Sequence, residues 1–363
     1  MKKIISDIIY SGLVSLLLLT SACDEDNVHP GNKFEFDSKT VFIINEGNYG
    51  YGNASLSYYE RDSFKVTNGI FISANDFPLG DVPQSMIIND SLAYITVSNS
   101  GKILVFNISD FRHNATIGGF TAPRYMLFIN DSLMLVSDLY EKALNVVNTH
   151  LNKITGKIPL GGPVEQMEII DDYVYAASWS FNDMLYKINI DERRLVDSID
   201  TGLQPNSIVK DRNNNLWVLC DGGYPGNSAG HEKARLMKIE PLSMTVLTEL
   251  TFPDLSSSPS KLNINSSRDS LYYIEGKWGG GVRSEKGIFC ISIEATELPQ
   301  QAFIPANDNL FYGLGIDPEN SDVYCSDAID YLQKGIVFRY NSEGEKIDSF
   351  RVGVVPGEFT FKE

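Results

Sequence analysis

Four histidines, His29, His113, His150 and His231, are scattered through the 363-residue chain with no HxH, HExxH or Cys-x-x-Cys pattern, so no zinc or copper site is predicted. Nothing resembles a nucleophile elbow, and dispersed histidines assemble no Ser-His-Asp set. Asp211, Asn213 and Asn215 stand at the alternate spacing of calcium ligands, but no Gly and Glu follow where a calcium loop needs them. The glycines of "GKWGGG" (276–281) follow a strand-like run and open no helix, so they make no phosphate loop. His231 reads as a solvated loop histidine.

The chemistry these residue types do support is recognition. Two series recur: Tyr49, Asn99, Asp138 with Tyr140, Trp179, Asp221 with Tyr224, Trp278, and Asp327 with Tyr331; and Gln84, Arg124, Glu165, Asn206, Ser260 with Lys261, and Tyr312. Rigid rings give contact area at little entropy loss, and amide, carboxylate and guanidinium groups orient a ligand. Taken singly, any of these aromatics could instead pack between structural units.

What places them at regular intervals is a repeat. "PQSMIINDSLAYITVSN", "PRYMLFINDSLMLVSDLY", "VEQMEIIDDYVYAASWS", "PNSIVKDRNNNLWVLCDGG", "PSKLNINSSRDSLYYIEGKW" and "FYGLGIDPENSDVYCSDAIDY" share one grammar of strand, turn, strand. They start at Pro83, Pro123, Val164, Pro205, Pro259 and Phe311, and a third run follows each and a fourth most of them. Val, Ile, Leu, Tyr and Phe bounded by Asn, Asp, Gly and Ser are what half-buried antiparallel strands require. Units of roughly 40 residues with four strands are propeller blades. "VFIINEG" (41–47) is a second strand lacking a first, and "GVVPGEFTF" at the C-terminus matches the start of an inner strand, with Pro356 in the place of Pro83. The predicted fold is therefore all-β: a seven-bladed β-propeller of four-stranded antiparallel blades, closed by the C-terminal strand joining the N-terminal blade.

In such a blade the turns between first and second strands lie on one face, and both recurrent series fall on the other, round the mouth of the central channel. The Asn and Asp of the first face read as ordinary tight turns. Loops between second and third strands are short in blades 2 to 4 and long in blades 5, 6, 7 and 1, which predicts a lopsided mouth.

A hydrophobic fraction of 43% allows a large core, while 30 Lys plus Arg against 47 Asp plus Glu give a net charge of −17. That balance repels phosphate backbones and excludes nucleic acid as a partner. Lys2 and Lys3, an apolar segment ending in four leucines, and Thr20-Ser21-Ala22-Cys23 read as an export signal over 1–22. A transmembrane helix would need a longer run, uninterrupted by Ser6, Asp7, Ser11 and Ser15. The residues before Cys23 resemble a bacterial lipobox, with Leu19 one place further upstream than the motif prefers. Cys23 would then be lipidated and hold the protein to a membrane without spanning it. Residues 23–38 form an acidic tether, which Asp24, Glu25 and Asp26 make either a plain solvated linker or a surface-export signal; the propeller occupies 39–363. Cys220, Cys290 and Cys325 lie in apolar runs and read as buried free thiols.

Lipobox, acidic tether and seven blades of this type together resemble the YncE-like propeller lipoproteins of Bacteroides and, among these, the BtuG-type proteins that capture cobalamin at the cell surface. The resemblance covers residues 41–363 and rests on scaffold motifs. It implies a non-enzymatic, lipid-anchored outer-membrane protein, facing the cell exterior, without a cofactor of its own. That protein would bind cobalamin or a related corrinoid and pass it to a TonB-dependent transporter. Two other classes remain open: a propeller enzyme of lactonase or lyase type, in which Glu165, Asn206 and Asp221 would mimic a metal constellation, and a protein-interaction scaffold of the cell envelope.

Overall fold

Strand runs closed by Asn, Asp and Ser turns favour sheet over helix, and the described residues form no long helix. The computed structural model of the protein describes residues 36, 39–277 and 286–362. Export signal, Cys23, most of the tether and the Trp278 loop fall outside them. Seven separate four-stranded sheets account for the strands, with a short helix, Ile70–Asn75, between blades 1 and 2.

Blade 1 is the expected composite. Its inner strand, Pro356–Phe361, pairs antiparallel with Thr40–Asn45, setting Val41 opposite Phe361 and Ile43 opposite Phe359. The other inner strands are Pro83–Asn89, Pro123–Asn130, Met167–Ile170, Pro205–Lys210, Ser257–Ile264 and Phe311–Ile316. Each packs on the next, and Phe311–Ile316 packs on Pro356–Phe361, which packs on Pro83–Asn89, so the ring is closed.

Every blade is covered on both faces, and the core is accordingly divided into seven apolar clusters, one per seam. Thr40–Asn45 is buried at every position: Phe42 and Ile44 face blade 2, while Val41 and Ile43 face blade 7. This two-sided burial explains the unbroken "VFII", since alternation is expected only of strands with one wet face. Each such fully buried side chain contributes roughly 1.5–3 kcal/mol. Outer strands, such as Lys153–Pro159, are mostly exposed.

The seam between blades 7 and 1 adds polar locks to its apolar cluster. Arg61 Nη1 donates to Asp317 Oδ2 at 2.5 Å, with side chains 4% and 1% exposed. Tyr59 stacks on Phe350 at 4.1 Å and donates its hydroxyl to Asp348 at 2.6 Å. Cys220 and Cys325 are buried free thiols and Cys290 is a half-buried one.

Candidate functional site

Six of the seven inner strands break register with the second strand, five of them at their start. The pairing skips a residue between Pro83 and Ser85, Pro205 and Ser207, and Pro356 and Glu358, and more than one between Pro123 and Met126, Phe311 and Leu314 and, four residues into its strand, Ser260 and Asn263; Met167–Ile170 pairs without a break. Such bulges re-aim side chains. Here they release residues at the strand starts from the seams, toward the channel.

These groups, with Glu165 and Glu46, form one network. The Arg124 Nε donates to both carboxylate oxygens of Glu165, at 3.0 and 2.9 Å, and its Nη1 donates to Gln84 Oε1. Lys261 Nζ donates to Gly357 O at 2.9 Å and to Glu358 Oε2 at 3.3 Å. Tyr312 donates its hydroxyl to Glu46 Oε2 at 2.9 Å. Members come from blades 1, 2, 3, 4, 6 and 7, which share only the ring axis. Burial raises the pKa of Glu46, Glu165 and Glu358, against Lys261 for Glu46 and Glu358 and Arg124 for Glu165. Burial also pushes the Tyr312 phenol well up, with Glu46 adding to the shift, and the Tyr125 phenol to about 12.

Beside this network, Trp179 Nε1 donates to Asp221 Oδ2 at 2.9 Å. Asn206 Nδ2 donates to Pro259 O at 2.9 Å, its Oδ1 accepts from Ser207, and the side chain also bonds Asp221. Burial raises the Asp221 pKa to about 6, although hydrogen bonds from Trp179, Gly223 and Asn206 favour the anion.

Thus Gln84, Arg124, Glu165 and Tyr312 converge in one network, and Trp179, Asn206 and Asp221 in an adjoining one. Asp138 and Asp327 behave differently. Asp138 is fully buried, its Oδ2 accepting Thr121 N and Ala122 N at 2.9 Å and its Oδ1 accepting Tyr140 N. Asp327 Oδ1 accepts Leu310 N and Ile329 N. Both carboxylates brace the loop before their blade's inner strand. Asn99 is exposed and donates to Asp81 at 2.5 Å. Tyr224 is half-buried, and Trp278 lies outside the described residues.

Around the network stands an apolar rim. Tyr49, Tyr51, Tyr140, Phe181, Tyr331 and Leu332, all in loops between second and third strands, are 39% to 79% exposed. Tyr331 meets Tyr312 edge-on at 5.7 Å, linking rim to floor. The loop over 221–234 is folded back rather than free: Gly223 bridges His231 and Asn227 Nδ2 donates to Gln204 Oε1 at 3.1 Å.

Glu46, Tyr125 and Glu358 are missing from the sequence-predicted set. Aligned as "PQSM", "PRYM", "VEQM", "PNSI", "PSKL", "FYGL" and "PGEF", the strand starts have two variable columns. Tyr125 and Glu358 stand in the second column beside Lys261. Glu46 ends an apolar run and carries no such signal.

The opposite face has two open clefts. One, of about 430 Å³, lies between blades 2 and 3 by Asn89, Asp90, Asn114 and His150; the other, of about 250 Å³, lies between blades 4 and 5 by Asp171, Asn214 and Glu240. Turn residues line both, and neither has the converging buried charges of the mouth. Asp211, too, acts locally: Oδ1 accepts Asn213 N and Asn215 N at 2.8 and 2.9 Å. Among the described residues no group of His, Cys, Asp and Glu is arranged to hold a metal ion.

Fold and site together define a closed seven-bladed propeller with a buried charged network at the channel mouth under an apolar rim. The chain belongs to the family described as Domain of unknown function (DUF5074), which it matches over residues 39–356. No curated protein matches it. Solved structures of similar fold include a quinonprotein alcohol dehydrogenase-like protein from Bacteroides thetaiotaomicron, at TM-score 0.67 and 11% identity over 89% of this chain and 78% of that one. Hydrazine synthase of Kuenenia stuttgartiensis matches at TM-score 0.64 and 11% identity, over 76% and 88%. The dihydro-heme d1 dehydrogenase NirN matches at 0.62 and 11%, over 92% and 79%. At such identity these likenesses concern the fold alone.

Proposed function

We propose that this protein is a surface lipoprotein of the BtuG type that binds cobalamin or a related corrinoid, without transforming it, and passes it to a TonB-dependent outer-membrane transporter. Cys23 would carry the lipid that anchors it in the outer membrane, facing the exterior. The carrying observation is the pairing of an exposed apolar rim, Tyr49, Tyr51, Tyr140, Phe181 and Tyr331, with a fixed polar floor of Gln84, Arg124, Glu165 and Tyr312. Cobalamin is a broad disc with methyl edges and many amide arms. Aromatic faces suit the edges, and a floor of donors and acceptors suits the arms. A ring closed before the ligand arrives spares the ordering cost that limits affinity.

The test is direct. Full-length protein in detergent is mixed with cyanocobalamin, desalted, and the protein fraction examined for red absorbance, with calorimetry for stoichiometry. A single bound corrinoid per chain is expected. Colourless protein and no heat with cyanocobalamin or its base-free analogue would remove the corrinoid reading.

A further inference from the structure

The channel network holds three carboxylates, Glu46, Glu165 and Glu358, against two cations, Arg124 and Lys261. Arg124 is committed to Glu165 and Lys261 to Glu358. Both act on Glu46 only through space. The Glu46 residue is 6% exposed; Oε2 accepts the Tyr312 hydroxyl and Gln84 is the carboxyl group's other close polar neighbour, but no donor meets Oε1 with hydrogen-bond geometry, and it is buried. Gly357 makes room for it, since a Cβ there would collide with Oε1. A buried acceptor left without a donor is costly, and more so when charged. The groups around Glu46 come from inner strands of blades 1, 2, 3, 6 and 7, which puts it on the axis under the rim.

We propose that Glu46 Oε1 accepts a hydrogen bond from an N–H of a carboxamide on the ligand, making Glu46 a specificity-determining residue that selects carboxamide arms over carboxylate arms. This rests on the corrinoid reading above. A carboxamide supplies the missing donor and adds no charge. A carboxylate supplies none and brings a fourth anion against Glu46, with both neighbouring cations already engaged, and such like-charge contacts are strongly disfavoured.

The probes are cyanocobalamin and the isomeric monocarboxylic acids made by mild acid hydrolysis of its propionamide arms, titrated calorimetrically into full-length protein at pH 7.5. At least one isomer is expected to bind more weakly than cyanocobalamin by about tenfold or more, as an unmatched buried charge implies. Glu46→Gln, whose amide can itself donate, should shrink that ratio to below about threefold, with Glu46→Ala, which also removes the charge, as the variant if Glu46→Gln does not fold. If all isomers bind wild type as tightly as cyanocobalamin does, Oε1 is served otherwise and the inference falls while the corrinoid reading stands. An unchanged ratio in a folded Glu46→Gln also overturns it. If wild type binds none of the corrinoids, both readings fall.

Discussion

Asp221 carries a pKa raised from 3.8 to about 6 by burial, although Trp179, Gly223 and Asn206 all hydrogen-bond its anionic form. The stability gained by protonating it in the fold is fully present below about the unfolded value and is lost as pH rises through about 6. Wild type should therefore gain roughly 2 kcal/mol on Asp221→Asn between about pH 7.5 and pH 4, as a shift of this size implies. Urea denaturation at several pH values reads that difference; parallel curves would contradict it. Trp179 emission should titrate with the same midpoint. At this scale the sequence is only partly legible. Arg124 and Glu165 stand in equivalent columns of adjacent repeats, so their meeting could be read. Asp138 could not be told from Asp221, because a carboxylate bracing backbone N–H groups and one facing a mouth occupy the same strand end. Glu46, at the close of an apolar run, looks like one more strand terminus.

Blades are legible because their physics is local. A strand covered on both faces must be apolar throughout, and one with a wet face alternates or turns polar, so buried and outer strands declare themselves. The bulges at the strand starts are not legible, since they depend on pairing across the blade. They nonetheless make the site, freeing residues of the starting columns from the seams. The element with most consequence is Pro356–Phe361, which supplies blade 1 with its inner strand and places Glu358 in the network. A chain ending at Val355 loses Phe359 from the seam with blade 7 and leaves Thr40–Asn45 as an open edge. The expected loss is comparable to a whole domain's stability, about 5–15 kcal/mol. Circular dichroism should record no cooperative melting transition for the truncated chain. Adding a peptide of residues 356–363 should restore one in part by strand addition. Identical melting of truncated and full-length chains would mean that closure does not hold the ring together.

For the whole molecule, the Arg61–Asp317 lock and the Glu46–Tyr312 contact of the mouth lie at opposite ends of the seam between blades 7 and 1. Arg61 follows the third strand of blade 1, Asp317 follows the inner strand of blade 7, and the pair therefore meets on the turn face, a strand's length from Glu46 and Tyr312. Burial raises the Asp317 pKa, the Glu319 N–H and Arg61 working against it. Removing Arg61 strands a nearly inaccessible carboxylate, and losing one partner of a buried pair costs about 3–5 kcal/mol. Arg61→Ala should show that loss in urea denaturation at neutral pH. If the proposed corrinoid reading holds, affinity for cyanocobalamin should stay within about threefold of wild type, because the propeller's rigidity is spread over seven apolar seams and one weakened lock does not reshape the floor. Calorimetry on the folded variant separates the two effects. A drop in affinity matching the drop in stability would mean that the mouth is held open by the seam between blades 7 and 1 alone, and the preformed floor on which the functional reading depends would have to be abandoned.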